Sequence, residues 1–275
     1  MQLSLQSRVK LNNGVEMPVF GLGVWQMSPG KVTQNSVKWA FECGYRLIDT
    51  AKLYANEKDV GVALKESGLP RKDVFVTTKL WNTDHGYDSA IRAFKESLRL
   101  LDMEFVDLYL IHWPVPRKRG ESWKALMKLY EDGQSRAIGV SNYTVSHLEE
   151  LIETSAMVPA VNQVEFSPFL FQEDLLKFCQ KNKIQLEAYS PLTKGLRLDY
   201  PGLVEMADKY ERTPAQILIR WALQHGVVVI PKSDKKEHII ENSRVFDFQI
   251  SSADMTALDK LNEDYHTTWN PADLQ

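Results

Sequence analysis

The sequence has few cysteines, little net charge and no long apolar segment. Its two cysteines, Cys43 and Cys179, form no C-x-x-C pair, which argues against a disulfide scaffold or a cysteine-ligated zinc site. Lys and Arg number 33 against 36 Asp and Glu, and the net charge of −3 gives no sign of a nucleic-acid or membrane partner. No apolar run approaches the roughly 20 residues that cross a bilayer, and residues 1–5 lack the features of a signal peptide. We therefore expect a cytoplasmic protein with free thiols.

What the sequence does contain is a regular alternation of short apolar runs and longer helical segments. Eight runs have the continuous apolar character of parallel strands that are covered on both faces. They are residues 18–25, 46–50, 74–80, 106–113, 137–142, 160–166, 184–189 and 227–232. Its 275 residues would suit two average domains or one α/β barrel of about 250 residues, and no linker interrupts the alternation. We predict an α/β fold in which residues 1–275 form one domain, a closed (β/α)8 TIM barrel.

Turn and capping signals add detail to this barrel. An Asn-Gly turn at residues 13–14 predicts an N-terminal β-hairpin that closes the bottom of the barrel. Thr213, which precedes a proline, predicts a helix start. Capping-box patterns predict two further starts, at Ser146 with Glu149 and at Ser251 with Asp254.

Polar residues lie at the C-terminal ends of the predicted strands, where barrels of this type carry their active sites. Asp49, Lys79 and His112 end three consecutive strands, and Tyr54 follows shortly after the first of them. Charged groups in apolar strands cost free energy unless they are paired or used. The other candidates at this end are Ser141, Asn142, Gln163, Tyr189, Ser190, Lys232 and Ser233.

Each candidate also has a purely structural interpretation. Asp49 and Ser233 could cap helices, and Lys79 could extend its ammonium group to solvent. His112, beside Trp113, could be a hydrogen-bonded core residue. Their joint placement at one face of the predicted barrel is what favours a functional role.

Together these residues could transfer a proton to a carbonyl oxygen. A free tyrosine has a pKa of about 10 and is a poor acid–base catalyst near neutral pH. An ammonium group next to Tyr54 would favour the phenolate, Asp49 would hold Lys79 in place, and a neutral His112 could orient the carbonyl group. The candidates contain no nucleophile–base pair, metal-ligand spacing or flanking carboxylates, which argues against a hydrolase.

The remaining requirement is a hydride donor, and no Rossmann fingerprint provides a site for one. Gly21 and Gly23 are followed by Gln26 where a third glycine or alanine would be needed. The turn at residues 190–192 and the pair Lys232-Ser233 at a helix start are better candidates for binding phosphate.

Five ordered motifs over nearly the whole length resemble those of the aldo-keto reductase family. They are residues 44–51 (GYRLIDTA) with Tyr54, Asn56 and Glu57; 106–114 (VDLYLIHWP); 137–142 (AIGVSN); 161–163 (VNQ); and 230–233 (IPKS), continuing to Glu241 and Asn242. The short connections at residues 115–120 and after Pro191 resemble the prokaryotic and protozoan branch that includes 2,5-diketo-D-gluconic acid reductases and prostaglandin F synthases. Short loops there suggest an open pocket with a broad range of carbonyl substrates.

The resemblance implies a monomeric, NADPH-dependent reductase of aldehydes and ketones, with no metal and no obligate protein partner. It makes Tyr54 the general acid, Lys79 and Asp49 the residues that tune it, and His112 the residue that orients the substrate. The implied cofactor contacts are Gly23, Val24, Trp25, Asp49, Ser141, Asn142, Gln163, Tyr189, Ser190, Leu192, Lys232, Ser233, His238, Glu241 and Asn242. The implied substrate contacts are Trp25, Tyr54, Trp81, His112 and Trp113.

One position departs from the family pattern. Five residues beyond Ser233, where the family commonly has an arginine against the 2′-phosphate and adenine, this sequence has His238. A neutral imidazole does not reproduce the charged, bidentate contact of a guanidinium group, so we expect NADH to be tolerated beside NADPH. The alternative to an enzyme is a non-catalytic NADPH-binding sensor or scaffold related to the family.

Overall fold

The computed structural model describes residues 3–274 and shows a parallel β-barrel surrounded by helices. In sheet order, the strands are β3 (Leu22–Gly23), β4 (Leu47–Asp49), β5 (Phe75–Leu80), β6 (Val106–Ile111), β7 (Ser135–Ser141), β8 (Val161–Glu165), β9 (Gln185–Tyr189) and β10 (Val228–Val229). Phe20 bridges to Val229 in parallel, and the Gly21 N–H donates to the Val229 carbonyl at 2.9 Å. Because the first and last strands meet, the sheet is closed, which confirms the predicted barrel.

Ten α-helices of the described region follow or flank the strands. They are α1 (Lys31–Glu42), α2 (Glu57–Ser67), α3 (Tyr87–Leu101), α4 (Arg119–Glu131), α5 (Val145–Thr154), α6 (Glu173–Lys181), α7 (Pro201–Tyr210), α8 (Pro214–Gln224), α9 (Lys236–Ser243) and α10 (Ser252–Asp259). None of these helices combines the length and the apolar character that a membrane span requires.

The N-terminal hairpin covers the barrel end opposite the functional face. Its strands are β1 (Arg8–Lys10) and β2 (Glu16–Pro18), paired antiparallel. Met17 is fully buried in the apolar interior of the barrel. The Asn12 amide donates to the carbonyl of Pro159, just before β8, at 3.1 Å. The predicted hairpin and its position at the bottom are confirmed.

Two of the predicted helix starts are confirmed and one is wrong. The Thr213 hydroxyl caps α8, and the Ser251 hydroxyl accepts from the Asp254 N–H at the start of α10. Helix α5 is capped by Thr144 instead of Ser146. The Thr144 hydroxyl accepts from the His147 N–H, and the His147 ring accepts from the backbone N–H of Thr144. The Thr144 hydroxyl, two residues before Ser146, therefore accepts the free N–H at the start of α5.

Candidate active site

A cavity of about 960 Å³ opens where the barrel strands end. Its lining combines aromatic rings, side-chain amides and hydroxyls, and the basic side chains of Lys232 and His238. Fifteen of the predicted site residues line it: Gly23, Trp25, Asp49, Tyr54, Trp81, His112, Trp113, Ser141, Asn142, Gln163, Tyr189, Ser190, Leu192, Lys232 and His238. The structure thus brings together most residues that the sequence singled out.

Five predicted site residues do not line the cavity. Lys79 is completely buried behind it, and Val24 is a core residue. The Ser233 hydroxyl accepts from the Lys235 N–H at 3.1 Å and does not cap α9, which begins one residue after Lys235. The remaining two lie on α9: Glu241, which accepts from the Thr213 hydroxyl at 2.8 Å, and Asn242, which is buried.

Lys79 and Asp49 form a fully buried ion pair next to Tyr54. Asp49 pairs with Thr77 across β4 and β5, so Lys79, two residues further, points to the same side of the sheet. The Lys79 ammonium donates to Asp49 Oδ1 at 2.6 Å, to the Thr50 carbonyl at 3.0 Å and to the Tyr54 hydroxyl at 3.2 Å. All three N–H groups of the lysine are therefore used, and its position is fixed.

Tyr54 ends a short 3₁₀ helix between β4 and α2. Its ring centroid lies 4.7 Å from that of Trp25 and 5.6 Å from that of His112. Asn56, which belongs to the first motif, ties this segment down: its amide donates to the Val24 carbonyl at 3.0 Å. Because the Tyr54 oxygen accepts from Lys79 and no residue among 3–274 accepts its proton, that proton is free to be donated into the cavity.

The pKa of Tyr54 is shifted in the direction opposite to the one that a neighbouring ammonium group alone would give. Burial raises the pKa of Tyr54 well above its ordinary value of about 10, and the charges of Asp49 and Glu187 raise it further. The ammonium of Lys79 favours the phenolate, as expected of a positive charge 3.2 Å away, but burial and the two carboxyl groups outweigh it, so the net shift of the Tyr54 pKa is upward. Burial lowers the pKa of His112 well below its usual range, and Lys79 lowers it further, so the predicted neutral imidazole agrees with the structure.

Amide and hydroxyl groups at the ends of β7, β8 and β9 hold one another. The Ser141 hydroxyl donates to the Gln163 carbonyl at 2.8 Å. The Asn142 amide donates to the His112 carbonyl at 2.9 Å, and Asn142 Oδ1 accepts from the Tyr189 hydroxyl at 2.8 Å. Asn142 adopts a left-handed backbone conformation with φ of 62°, which asparagine tolerates better than most residues. These contacts make the polar wall of the cavity rigid.

The C-terminal segment also lines the cavity, and the sequence analysis missed it. Trp269 lies with its ring centroid 5.6 Å from that of Trp113, and the Thr268 hydroxyl lies 3.0 Å from that of Tyr189. Glu165, at the end of β8, accepts from the N–H of Thr267 at 2.9 Å. The sequence offered one signal for this role, which is the isolated Trp269 in an otherwise polar C-terminal segment. The pattern of strands and helices does not show where such a segment packs.

Comparison with known proteins identifies the family. The model of the Aldo/keto reductase family matches residues 19–263. The chain belongs to the aldo-keto reductase family. It is 51% identical over 274 residues to glyoxal reductase of Bacillus subtilis (strain 168), covering 100% of this chain and 99% of that protein. It is also 48% identical over 266 residues to 9,11-endoperoxide prostaglandin H2 reductase of Trypanosoma cruzi (strain CL Brener), covering 96% of this chain and 94% of that protein.

The fold agrees with this identification. A mutant of Gox0644 crystallised in complex with NADPH superimposes with a TM-score of 0.92 at 42% identity, covering 97% of this chain and 98% of that chain. The family and fold predictions are therefore confirmed. As an aldo-keto reductase with named reductase relatives, the protein is an oxidoreductase of carbonyl compounds.

Proposed function

We propose that this aldo-keto reductase reduces aldehydes and ketones to alcohols, with NADPH as the hydride donor and Tyr54 as the general acid. The observation that carries the proposal is the Tyr54 hydroxyl, which lines the cavity, accepts from Lys79 at 3.2 Å and keeps its own proton free. A raised pKa keeps that proton on the oxygen until a substrate takes it.

The cavity has groups that fit each part of NADPH. Gln163 Oε1 has no partner among residues 3–274 and is available to accept from the N–H of a carboxamide. Ser190 and Leu192 line the cavity on a turn, and Ser190 has a φ of 46°, so backbone groups there would meet the pyrophosphate. Lys232 and His238, both exposed, would meet the 2′-phosphate. The NADPH complex of a structural neighbour supports this assignment.

Each catalytic side chain then has one task. When bound, NADPH supplies the hydride that adds to the carbonyl carbon. Tyr54 donates its proton to the carbonyl oxygen, which completes the alcohol. Lys79 stabilises the resulting phenolate, and Asp49 holds Lys79 in position. His112, which is neutral, orients the carbonyl group by donating an N–H to its oxygen.

We propose a broad substrate range, because large aromatic side chains line the cavity beside Tyr54 and His112. Trp25 is 36% exposed at the rim, and Trp81 lies with its ring centroid 5.2 Å from that of His112. Apolar walls discriminate weakly between similar substrates, because one extra or missing methylene group on the substrate changes kcat/KM only about 10- to 200-fold.

A panel of aldehydes, α-ketoaldehydes and diketones tests this function. We expect NADPH oxidation with several members, each giving one alcohol per NADPH consumed. Activity confined to a single compound would contradict the broad range. NADPH binding without oxidation by any member would instead favour the sensor or scaffold alternative.

His238→Arg tests the cofactor preference. We expect the ratio of kcat/KM with NADPH to kcat/KM with NADH to rise about tenfold or more, because a guanidinium group gains charge-assisted hydrogen bonds to the 2′-phosphate. Lys232→Met serves as the opposite control and should lower the same ratio. A ratio in the wild-type enzyme already as large as in His238→Arg would contradict NADH tolerance.

We also propose that the whole sequence forms one catalytic domain that acts as a cytoplasmic monomer without an obligate protein partner. Support comes from the hairpin and the tail, which both pack on the same barrel, and from Cys43 and Cys179, which form no disulfide.

A further inference from the structure

Glu187 is a buried carboxyl group that the mechanism above does not use. It lies within β9 and its side chain is completely inaccessible to solvent. Strand pairing sets Gln163 of β8 on one side of it and Val228 of β10 on the other. Its Oε2 accepts from Gln163 Nε2 at 2.8 Å, while its Oε1 has no hydrogen-bond partner among residues 3–274. An apolar side chain would cost less there, so the carboxyl group calls for an explanation.

Hydrogen bonds connect Glu187 to the catalytic tyrosine. Gln163 Nε2 donates to Glu187 and also to Asp49 Oδ2, each at 2.8 Å. Asp49 Oδ1 accepts from Lys79 at 2.6 Å, and Lys79 donates to Tyr54 at 3.2 Å. These five residues, Glu187, Gln163, Asp49, Lys79 and Tyr54, form what we call the buried network.

The two carboxyl groups determine which way the Gln163 amide points. A primary amide has two N–H hydrogens, and here both are used on carboxyl oxygens. In the opposite orientation, the amide oxygen would face those acceptors without a donor. Gln163 Oε1 must therefore point away from them. Without Glu187, only Asp49 would enforce this choice.

We propose that Glu187 is a positioning residue that fixes the orientation of the Gln163 amide and adds a second carboxyl group to the buried network that ends at Tyr54. This inference rests on the proposed role of Tyr54 as the general acid. Glu187 touches neither the substrate nor the proton that is transferred, so it acts through Gln163, Asp49 and Lys79.

The charges around Glu187 give this role a pH dependence. The charged and titratable groups that face it are Asp49 from β4, Lys79 from β5 and Tyr54, whereas Val228 from β10 is apolar. Burial, followed by the charge of Asp49, raises the pKa of Glu187 to about 8. The group is thus mostly neutral at neutral pH and ionised in the alkaline range. Once ionised, its negative charge favours the protonated form of Tyr54, which reduction requires.

Glu187→Gln separates the charge from the hydrogen bond. Glutamine still offers an oxygen to Gln163 but cannot ionise. We expect kcat/KM for reduction to stay close to wild type at neutral pH, and its alkaline limb to move at least about half a pH unit lower, because Tyr54 loses the charge that raises its pKa. Glu57→Gln is the matched control: Glu57 is a buried carboxyl group that accepts from Thr78 at 2.6 Å, and it is not part of the buried network.

Glu187→Leu tests the orientation of the amide separately. With its second acceptor removed, Gln163 can turn, and we expect KM for NADPH to rise about fivefold, with a smaller change in kcat. An alkaline limb of Glu187→Gln that coincides with wild type, or an unchanged KM in Glu187→Leu, would overturn the proposal. Tyr54→Phe, measured in parallel, separates the two proposals, since full activity in that variant would refute the general acid whatever Glu187 does.

Discussion

Replacing Tyr54 by phenylalanine should lower kcat/KM for carbonyl reduction by about 10³-fold, within the range that general acid catalysis supplies. Phenylalanine keeps the ring that packs 4.7 Å from Trp25 and 5.6 Å from His112, so the cavity retains its shape. What is lost is the hydroxyl, the one group in the buried network with a proton free to enter the cavity. Steady-state rates with a reactive aldehyde measure the loss.

The dissociation constant for NADPH, followed by protein fluorescence, should remain close to wild type in Tyr54→Phe. Tyr109→Phe provides a matched control, because the Tyr109 hydroxyl is buried and has no partner among residues 3–274. We expect that control to keep full activity. Equal rates in wild type and Tyr54→Phe would show that another group protonates the carbonyl oxygen.

Replacing Lys79 by methionine should lower kcat/KM by about 10²-fold or more, because the phenolate of Tyr54 would form without an adjacent positive charge. The change should also destabilise the fold by about 3 to 5 kcal/mol, since it leaves Asp49 buried without its counter-charge. Burial already raises the pKa of Asp49, and Lys79 is the largest influence that opposes the rise. Part of the cost will therefore appear as proton uptake by Asp49.

A double variant separates these two effects. Adding Asp49→Asn to Lys79→Met removes the uncompensated charge, so the free energy of unfolding, measured with urea, should recover in part. Activity should not recover, because the ammonium group beside Tyr54 is still missing. Activity that returned together with stability would mean that Lys79 is needed only to hold the barrel together.

The sequence was sufficient to predict the barrel and the functional residues at the ends of its strands. Asp49, Lys79 and His112 could be predicted to meet because the carboxyl ends of parallel strands lie at one face. Their individual contacts depend on strand register, which the structure shows and an apolar run alone does not reveal. The position of Tyr54 could be predicted for the same reason, since it follows β4 within one short turn.

Other features depend on distances that no spacing encodes. Glu187 lies inside a predicted strand and not at its C-terminal end, so the rule that selected the other candidates does not select it. Only the pairing of β8 with β9 places it against Gln163. Thr267 and Trp269 belong to a tail whose path is set by contacts with Glu165 and Trp113. The pKa of Tyr54 is raised by burial together with the charges of Asp49 and Glu187, so the direction of its shift could not be predicted from the presence of a lysine alone.

The fate of a labelled hydride tests the proposed reaction most directly. Wild-type enzyme would be supplied with NADPH deuterated at C4 of the nicotinamide and with an unlabelled aldehyde, and the alcohol examined by mass spectrometry and NMR. We expect one deuterium on the former carbonyl carbon of each alcohol formed, and about 10³-fold slower formation of the same product by Tyr54→Phe. An alcohol without deuterium, or labelled alcohol formed equally fast by Tyr54→Phe, would contradict hydride transfer from NADPH coupled to proton donation by Tyr54.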